Sequence, residues 1–232
     1  MTKKKFFALA GVFILGAALM CASFVVKKNR KMPVWDGNAY NIENVNPVDA
    51  TFARPYNRVI DKTGDAFVAL MWMTACLVII ISFLTAKDKK AEFKRGFFDA
   101  FTLGLCSIYT VGIYRILKGL AGRIRPYMYF ANPSQKGITK GDFNCSWPSG
   151  HSSNVFFCFA FIFAWFSIRH ADSKFKKPVL TVTFLVCITT MVMRMLSGNH
   201  FLTDVLSGAA LGFGISYAIA FLCNTIYGKE LN

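Results

Sequence analysis

Charged residues are scarce in this 232-residue sequence, and acidic residues are the scarcest of them. Only 17% of the residues are charged, and 12 Asp and Glu stand against 27 Lys and Arg, which gives a net charge of +15. That charge alone would suit a disordered basic tail or a nucleic-acid-binding protein. However, 54% of the residues are hydrophobic, which excludes a disordered chain. The apolar residues form long blocks and do not alternate with the charges, so we expect no nucleic-acid partner.

The sequence also lacks the cysteine spacings of a zinc site or a redox motif. No two of its seven cysteines are separated as in Cys-x-x-Cys. Six of them lie inside apolar blocks, where cysteine behaves as a small hydrophobic residue. Cys145 alone falls in a predicted outer loop. We therefore expect neither a disulfide framework nor a metal centre.

Six apolar blocks predict helices that cross a membrane, for which about 20 residues are needed. The blocks are 6–26, 66–86, 97–118, 152–168, 178–196 and 203–227. The first is longer than the apolar part of a signal peptide, which is about 7–15 residues, so we expect it to be retained. No room remains for a separate soluble domain. The sequence thus predicts an all-α, polytopic membrane protein, with six transmembrane helices in one bundle and a single domain, 1–232.

Basic residues in the short loops predict the orientation of this bundle. Lys and Arg collect at 87–95 and 169–177, whereas the loop 197–202 has none. Because cytoplasmic loops are enriched in Lys and Arg, we expect both termini in the cytoplasm and the loop 27–65 outside, in a bacterial-type cytoplasmic (inner) membrane. A basic cluster at the start of that loop contradicts the rule and has no explanation in the sequence. It consists of Lys27, Lys28, Arg30 and Lys31.

Three polar motifs fall at the predicted outer face, and the first of them ends the third span. Lys118 stands seven residues, about two helical turns, before Arg125. Both cations would point the same way if the helix reached Arg125, where Pro126 favours its end. Cations at the ends of spans also commonly extend to the interface without any further role. This motif alone does not decide between the two interpretations.

The second motif consists of Pro148, Ser149, Gly150 and His151, immediately before the fourth span. Ser149 suits an N-cap, and the free N–H groups at a helix N-terminus favour an anion. Gly150 lets that backbone approach a ligand closely. A plain helix start with an interfacial histidine is the alternative, but a His at this point favours a functional site.

The third motif joins the fifth and sixth spans and contains Arg194, His200 and Asp204. Asp204 follows His200 by four residues, one helical turn, so its carboxylate can bind one ring nitrogen and leave the other nucleophilic. Arg194 lies within an apolar span, where a charge is costly and usually faces a cavity or a partner. A His–Asp pair that merely ties a loop to a helix is the less favoured alternative.

In order and spacing, the three motifs resemble the signature of the type 2 phosphatidic acid phosphatase (PAP2) family, whose site is related to that of the vanadium haloperoxidases. The matching segments are Lys118 to Pro126, Pro148 to His151, and Arg194 to Asp204. Met193 departs from the pattern, since the family usually has Ser there. Each motif is weak alone, but the combination is specific.

The resemblance implies a PAP2-like core and a role for each matching residue. His200 would attack phosphorus and form a phosphohistidine, and Asp204 would orient His200. His151 would protonate the leaving lipid oxygen and then activate water. The phosphate would be bound by Lys118, Arg125, Ser149, the N–H of Gly150 and Arg194. This scheme needs no metal ion and no other cofactor, because fixed cations can neutralise the phosphoryl group.

Other polar residues carry weaker expectations. Arg123 would contact a headgroup or lie at the rim of the site. Arg115 would extend the cationic site, pair with Asp99 or pair with a neighbouring helix. His170 would be a solvated residue at the inner interface.

Several substrates and two other classes of function stay open at this point. The expected partners are membrane lipids and a lipid phosphate, either phosphatidic acid, phosphatidylglycerophosphate, an isoprenyl diphosphate or a phosphate of the lipid A type. A lipid phosphotransferase would use the same phosphohistidine. A vanadate-dependent oxidase is disfavoured by the six spans, since the haloperoxidases are soluble. A non-catalytic headgroup-binding or transport protein is disfavoured because the ionisable residues lie at one edge and not at the midplane. The oligomeric state is undetermined.

Overall fold

Six long helices account for the six apolar blocks of the sequence. The structure is a computed structural model that describes residues 2–228. Its helices are α1 Lys3–Asn29, α2 Pro47–Phe52, α3 Arg58–Thr85, α4 Lys89–Ala121, α5 Gln135–Thr139, α6 Gly150–Arg169, α7 Lys176–Leu196 and α8 Leu202–Tyr227. All except the short α2 and α5 belong to segments that are long and apolar enough to cross a membrane. The prediction of an all-α, multi-pass membrane protein is confirmed.

Helix α6 lies at the centre of the bundle, packed against α3, α4, α7 and α8, while α1 packs mainly against α4. In the most apolar stretch of α6, 67% of the residues are buried, compared with 17% in α1 and α3. Phe157, Phe161 and Ile162 of α6 fill the core. The other long helices therefore surround α6 and leave their apolar outer faces for lipid.

Two glycines let α8 lie unusually close to α6. A Cβ atom at Gly208 would collide with the backbone carbonyl of Ser149, and one at Gly212 with that of Ser153. Small residues at such crossings allow the backbones of membrane helices to touch. This contact fixes the N-terminus of α6, with the second motif, beside the first turn of α8.

The helix of the first motif ends earlier than the sequence predicted. Gly122 adopts the left-handed conformation with a φ of 57°, and its N–H bonds to the carbonyl of Lys118. Glycine takes this conformation at no steric cost, which makes it a common helix terminator. Arg125 therefore follows the helix in an extended segment, so the condition under which Lys118 and Arg125 would share one helix face is not met.

The polar residues at the opposite end of the bundle form their own network. Asp99 accepts hydrogen bonds from Arg169 and from the indole of Trp165. Arg115 therefore does not pair with Asp99. His170 stacks on Trp165 with ring centroids 4.2 Å apart, and its Nε2 is buried without a partner in the described part of the chain. The expectation of a solvated histidine is therefore wrong for Nε2, while the residue as a whole is half-buried.

Candidate active site

His200 and Asp204 lie side by side in the interior, at the outer end of α8. Both are buried, and His200 Nδ1 is 3.6 Å from Asp204 Oδ2, slightly beyond hydrogen-bonding distance. Asp204 Oδ2 accepts hydrogen bonds from Ser146 Oγ at 2.5 Å and from the N–H of Phe201 at 2.9 Å. Asp204 thus caps α8 and at the same time faces the imidazole.

Arg123 holds the other oxygen of this carboxylate. Its guanidinium lies 2.6 Å from Asp204 Oδ1, 2.6 Å from Asp49 Oδ2, and 4.4 Å above the ring of Phe201. It also donates to Thr203 Oγ1 at 2.8 Å. The expectation of a rim or headgroup contact is therefore wrong, because two internal carboxylates already occupy the side chain.

Asp49 comes from α2 in the first loop and completes this network. It accepts hydrogen bonds from the N–H and the hydroxyl of Thr203, at 2.9 and 2.6 Å, besides those from Arg123 and Asn46. Burial alone would raise the pKa of Asp49, but the hydrogen bonds from Thr203 and Arg123 outweigh it and hold the pKa below its usual value. Asp49 is thus a buried carboxylate that ties the first loop to the start of α8.

The second histidine has a carboxylate partner that its own motif does not contain. His151 Nε2 is 2.6 Å from Asp65 Oδ1, which lies on α3. The side chain of His151 is 28% exposed, whereas that of His200 is 2% exposed. The site therefore contains two His–Asp pairs, one buried and one reached by solvent.

The two cations of the first motif are held mainly by backbone oxygens. Lys118 Nζ donates to the carbonyl of Cys145 at 2.6 Å. Arg125 donates from Nε to the carbonyl of Asp142 at 2.8 Å and from Nη1 to Asn199 Oδ1 at 2.9 Å. Neutral acceptors orient these cations but leave their charge available to an anion.

Arg194 reaches the same region from α7 and is almost completely buried. Its Nη1 donates to Asp61 Oδ1 at 2.6 Å, and Asn199 Nδ2 donates to the same oxygen at 3.1 Å. Its Nε is buried and has no acceptor within residues 2–228. Arg194 therefore retains an unused donor in the interior.

The electrostatics of His200 show that the three cations converge on it. Burial lowers the pKa of His200 well below the ordinary 6.5, and nearby positive charges lower it further. The three main charges belong to Lys118, Arg125 and Arg194. Since the charged imidazolium is disfavoured on both counts, His200 is neutral at physiological pH and keeps a free lone pair.

The remaining residues of the second motif sit at the first turn of α6. Ser149 Oγ caps the helix by accepting from the N–H of Ser152 at 3.3 Å, and the N–H of Ser149 donates to the carbonyl of Asp204 at 2.9 Å. Ser149 is fully buried. A Cβ atom at Gly150 would lie 3.2 Å from the ring of Tyr114, so the backbone passes close to α4 here.

A cavity of about 170 Å³ opens beside His151 and Arg194, and the buried His200 lies behind its lining residue Asn199. Its lining includes Asp61, Asp65, Arg125, His151, Arg194 and Asn199. This volume is smaller than the roughly 300–1,000 Å³ of pockets that enclose a whole small molecule. The cavity has room for a small polar group and not for a whole drug-sized molecule. Among residues 2–228, no three His, Cys, Asp or Glu are grouped closely enough to hold a metal ion.

Sequence reasoning found the histidines and the cations but missed several of the acids that hold them. Asp61 and Asp65 are four residues apart at the start of α3, so both lie on one face of that helix. His200 and Asp204 have the same spacing. This spacing is the sequence feature that could have identified Asp61 and Asp65. Asp49 offered none, because it lies in a short loop helix.

Comparison with known proteins identifies the family to which the chain belongs. Residues 99–226 match a family model described as the PAP2 superfamily. Phosphatidylglycerophosphatase B of Bacillus subtilis is 36% identical over 76 residues, which is 32% of this chain and 37% of that protein. A PA-phosphatase related-family protein of Dictyostelium discoideum is 26% identical over 166 residues, 66% of this chain and 58% of that protein. A probable lipid phosphate phosphatase beta of Arabidopsis thaliana is 30% identical over 149 residues, 55% of this chain and 67% of that protein.

One solved structure has a similar fold. It is the crystal structure of a transmembrane PAP2 type phosphatidylglycerolphosphate phosphatase from Bacillus subtilis, with a TM-score of 0.51. The similarity covers 95% of this chain and 96% of that one, at 18% sequence identity. By contrast, the chain spans less than two thirds of the length of the first two relatives named above.

Proposed function

Because the chain belongs to the PAP2 superfamily, whose model matches residues 99–226, we propose that it is a membrane-embedded lipid phosphate phosphatase. The observation that carries this proposal is a buried histidine, His200, that faces the carboxylate of Asp204 and has cations on the residues around it. Arg125 Nη1 donates to Asn199 Oδ1 at 2.9 Å, and Lys118 Nζ donates at 3.3 Å to the carbonyl of Ser146, whose hydroxyl binds Asp204. Phosphoryl transfer depends on positioning and on neutralising spread negative charge, and this arrangement supplies both. A site used only for binding would have no need of the neutral imidazole.

The proposed reaction has two steps. His200 Nε2 attacks phosphorus while the bond to the lipid oxygen breaks, and that oxygen takes a proton from His151. The resulting phosphohistidine is then attacked by a water molecule, which gives a proton to His151 as the N–P bond breaks. Asp204 stabilises the positive charge that forms on His200 during the first step.

The phosphate ligands in this scheme are Lys118, Arg125, Arg194 and the backbone at the start of α6. Arg194 would donate from the buried Nε that has no partner in the described chain. The N–H of Gly150 is among those at the start of a helix that lack an intrahelical acceptor. Ser149 would contribute by capping this turn, since its hydroxyl accepts from Ser152. The reaction would proceed without a metal ion.

The site would face the outside of a bacterial-type inner membrane, with both termini in the cytoplasm. The basic segments 87–95 and 169–177 lie at the helix ends opposite to the site, in agreement with the enrichment of Lys and Arg in cytoplasmic loops. The substrate would approach laterally and leave its acyl tails in the bilayer. Reporter fusions to the two termini and to the loop 30–46 test this orientation.

Phosphate release from a panel of purified lipid phosphates, in detergent and with EDTA, tests the function. We expect release in the presence of EDTA and its complete loss in His200→Ala, with an unchanged melting temperature. The panel contains phosphatidic acid, phosphatidylglycerophosphate, an isoprenyl diphosphate and a lipid A phosphate. Full turnover by His200→Ala would refute the mechanism. Transfer of the phosphate to an added acceptor lipid in place of water would identify a phosphotransferase.

A further inference from the structure

A second cavity lies on the other side of the first motif, between the C-terminal ends of α1 and α4. Its volume is about 190 Å³. Its charged lining residues are Lys27, Arg30, Arg115, Lys118, Arg125 and Asp142. Five of these six side chains are cations, so the cavity is strongly positive. It also accounts for two members of the basic cluster that the topology rule left unexplained.

This cavity is continuous with the catalytic cation set. Lys118 and Arg125 line it, and Arg125 also lines the cavity that reaches His151. Arg115 precedes Lys118 by three residues on α4, a rise along the helix of about 4.5 Å. An anion in the second cavity would therefore share Lys118 and Arg125 with a phosphate held at His200.

Asp142 is the acidic residue named in the lining of the second cavity, but the cations that belong only to this cavity are not paired with it within residues 2–228. Within residues 2–228, neither Arg115 nor Lys27 forms an ion pair; Arg115 contacts the Met20 sulfur at 4.0 Å and lies 5.7 Å from the Phe24 ring. Arg30 donates to the carbonyl of Gly141 and to the Cys145 sulfur.

Elsewhere in the protein, three partly or fully buried arginines are paired with acids. Arg123 and Arg169 each contact two carboxylates, and Arg194 contacts one. Like charges confined in a partly desolvated cavity repel one another, and that repulsion is relieved when an anion binds between them. The unneutralised cations of the second cavity thus match a ligand that brings its own negative charge.

We propose that this cavity binds a second phosphate group of the substrate, so that the preferred lipid carries two phosphates. One phosphate lies at His200, and the other lies between Lys27, Arg30 and Arg115. The inference rests on the proposed function, which places the first phosphate. The short separation of Arg115 and Lys118 along one helix suits two phosphates of one headgroup better than the headgroups of two lipids. A lipid diphosphate and a phosphomonoester that also contains a phosphodiester both have this chemistry.

The test compares lipids with the same acyl chains and one or two phosphates. The value of kcat/KM is measured for phosphatidic acid, for phosphatidylglycerophosphate and for a lipid diphosphate. We expect the wild-type protein to prefer the two-phosphate lipids, and Arg115→Gln and Lys27→Gln each to reduce that preference about tenfold, the effect of one charge-assisted hydrogen bond. Lys28→Gln is the matched control, since this neighbouring exposed cation does not line the cavity. Arg115→Lys should keep most of the preference.

Two results would overturn the proposal. One is that Arg115→Gln, Lys27→Gln and the Lys28→Gln control all prefer two-phosphate lipids over one-phosphate lipids to the same degree. The other is an equal loss on one-phosphate and two-phosphate lipids, which would assign the cavity to a neighbouring anionic lipid. Melting temperatures show whether each variant is folded. Because Lys27 is exposed, Lys27→Gln can still be tested if Arg115→Gln does not fold.

A binding measurement separates failure of this inference from failure of the proposed function. If the wild-type protein released phosphate from no lipid, the proposed function would fail, and the cavity would be judged by thermal shift alone. Pyrophosphate should then stabilise the wild-type protein more than the same concentration of phosphate. That difference should disappear in Arg115→Gln, and an equal shift by both anions in the wild-type protein would overturn the proposal.

Discussion

Replacement of Arg123 by Met should destabilise the protein strongly, although no substrate contact is assigned to this residue. Its guanidinium lies 2.6 Å from both Asp49 and Asp204, whose side chains are 0% exposed. Removal of one partner of a buried ion pair leaves an uncompensated charge and costs about 3–5 kcal/mol. Because the Arg123 side chain is 26% exposed, solvent weakens the pair and we take the lower limit, about 3 kcal/mol.

Thermal unfolding in detergent measures this effect. For a protein of this length, 1 kcal/mol corresponds to about 2–4 °C in Tm, so Arg123→Met should lower Tm by about 6–12 °C. Arg58→Met is the control, since Arg58 is exposed and has no ion pair within residues 2–228. Arg123→Lys keeps the charge but not the fork that spans two carboxylates. Its Tm should therefore lie between those of the wild-type protein and Arg123→Met.

A double-mutant cycle decides whether the pair itself is responsible. Once Asp49→Asn has removed one of the two acids, Arg123→Met should cost less than in the wild-type protein. We expect a coupling energy of about 1–3 kcal/mol. If Arg123→Met shifts Tm no more than the Arg58 control does, or if the two changes are additive, the assignment of Arg123 to an internal network is refuted.

Three further predictions concern the site and its packing. The depressed pKa of His200 keeps the imidazole neutral as the pH falls through 6.5, so kcat/KM should show no loss near pH 6.5 from this group, and a limb at that pH would contradict the assignment. Gly208→Ala should cost about 1–3 kcal/mol and lower activity, because its methyl group meets the backbone of α6, whereas Gly214→Ala on the same helix meets nothing within 4 Å and should leave both Tm and activity unimpaired. Asp61→Asn should lower Tm by uncovering the charge of Arg194, and inorganic phosphate should restore more stability to this variant than to the wild-type protein; equal shifts would argue against an anion beside Arg194.

The six spans and the family resemblance could be read from the sequence because each rests on local information. Uninterrupted apolar blocks are sufficient to identify helices in a bilayer, where every backbone group must be satisfied within its own segment. The spacing of Lys118, Arg125, His151, Arg194 and Asp204 was equally local, and the family it indicated is confirmed. The catalytic roles assigned to these residues stay predictions until the substitutions are made.

The parts that were missed depend on contacts between distant segments. Arg123 looked like a surface cation because its partners, Asp49 and Asp204, are 74 and 81 residues away. Pro126 indicates a helix end near Arg125, whereas Gly122 ends α4 one turn earlier. The rule that predicts membrane topology gives acidic residues little weight. The acids of the outer loop were therefore not predicted to belong to the site.

The origin of those acids along the chain constrains how such proteins can be recombined. Residues 99–226 contain the matched motifs, but Asp49, Asp61 and Asp65, which hold Arg123, Arg194 and His151, all precede this region. A hybrid that joined this C-terminal part to the N-terminal part of a relative would keep these contacts only if that part placed carboxylates at the same three points. The N-terminal and C-terminal parts must therefore match each other. A graft of the three motifs alone would not transfer a working site.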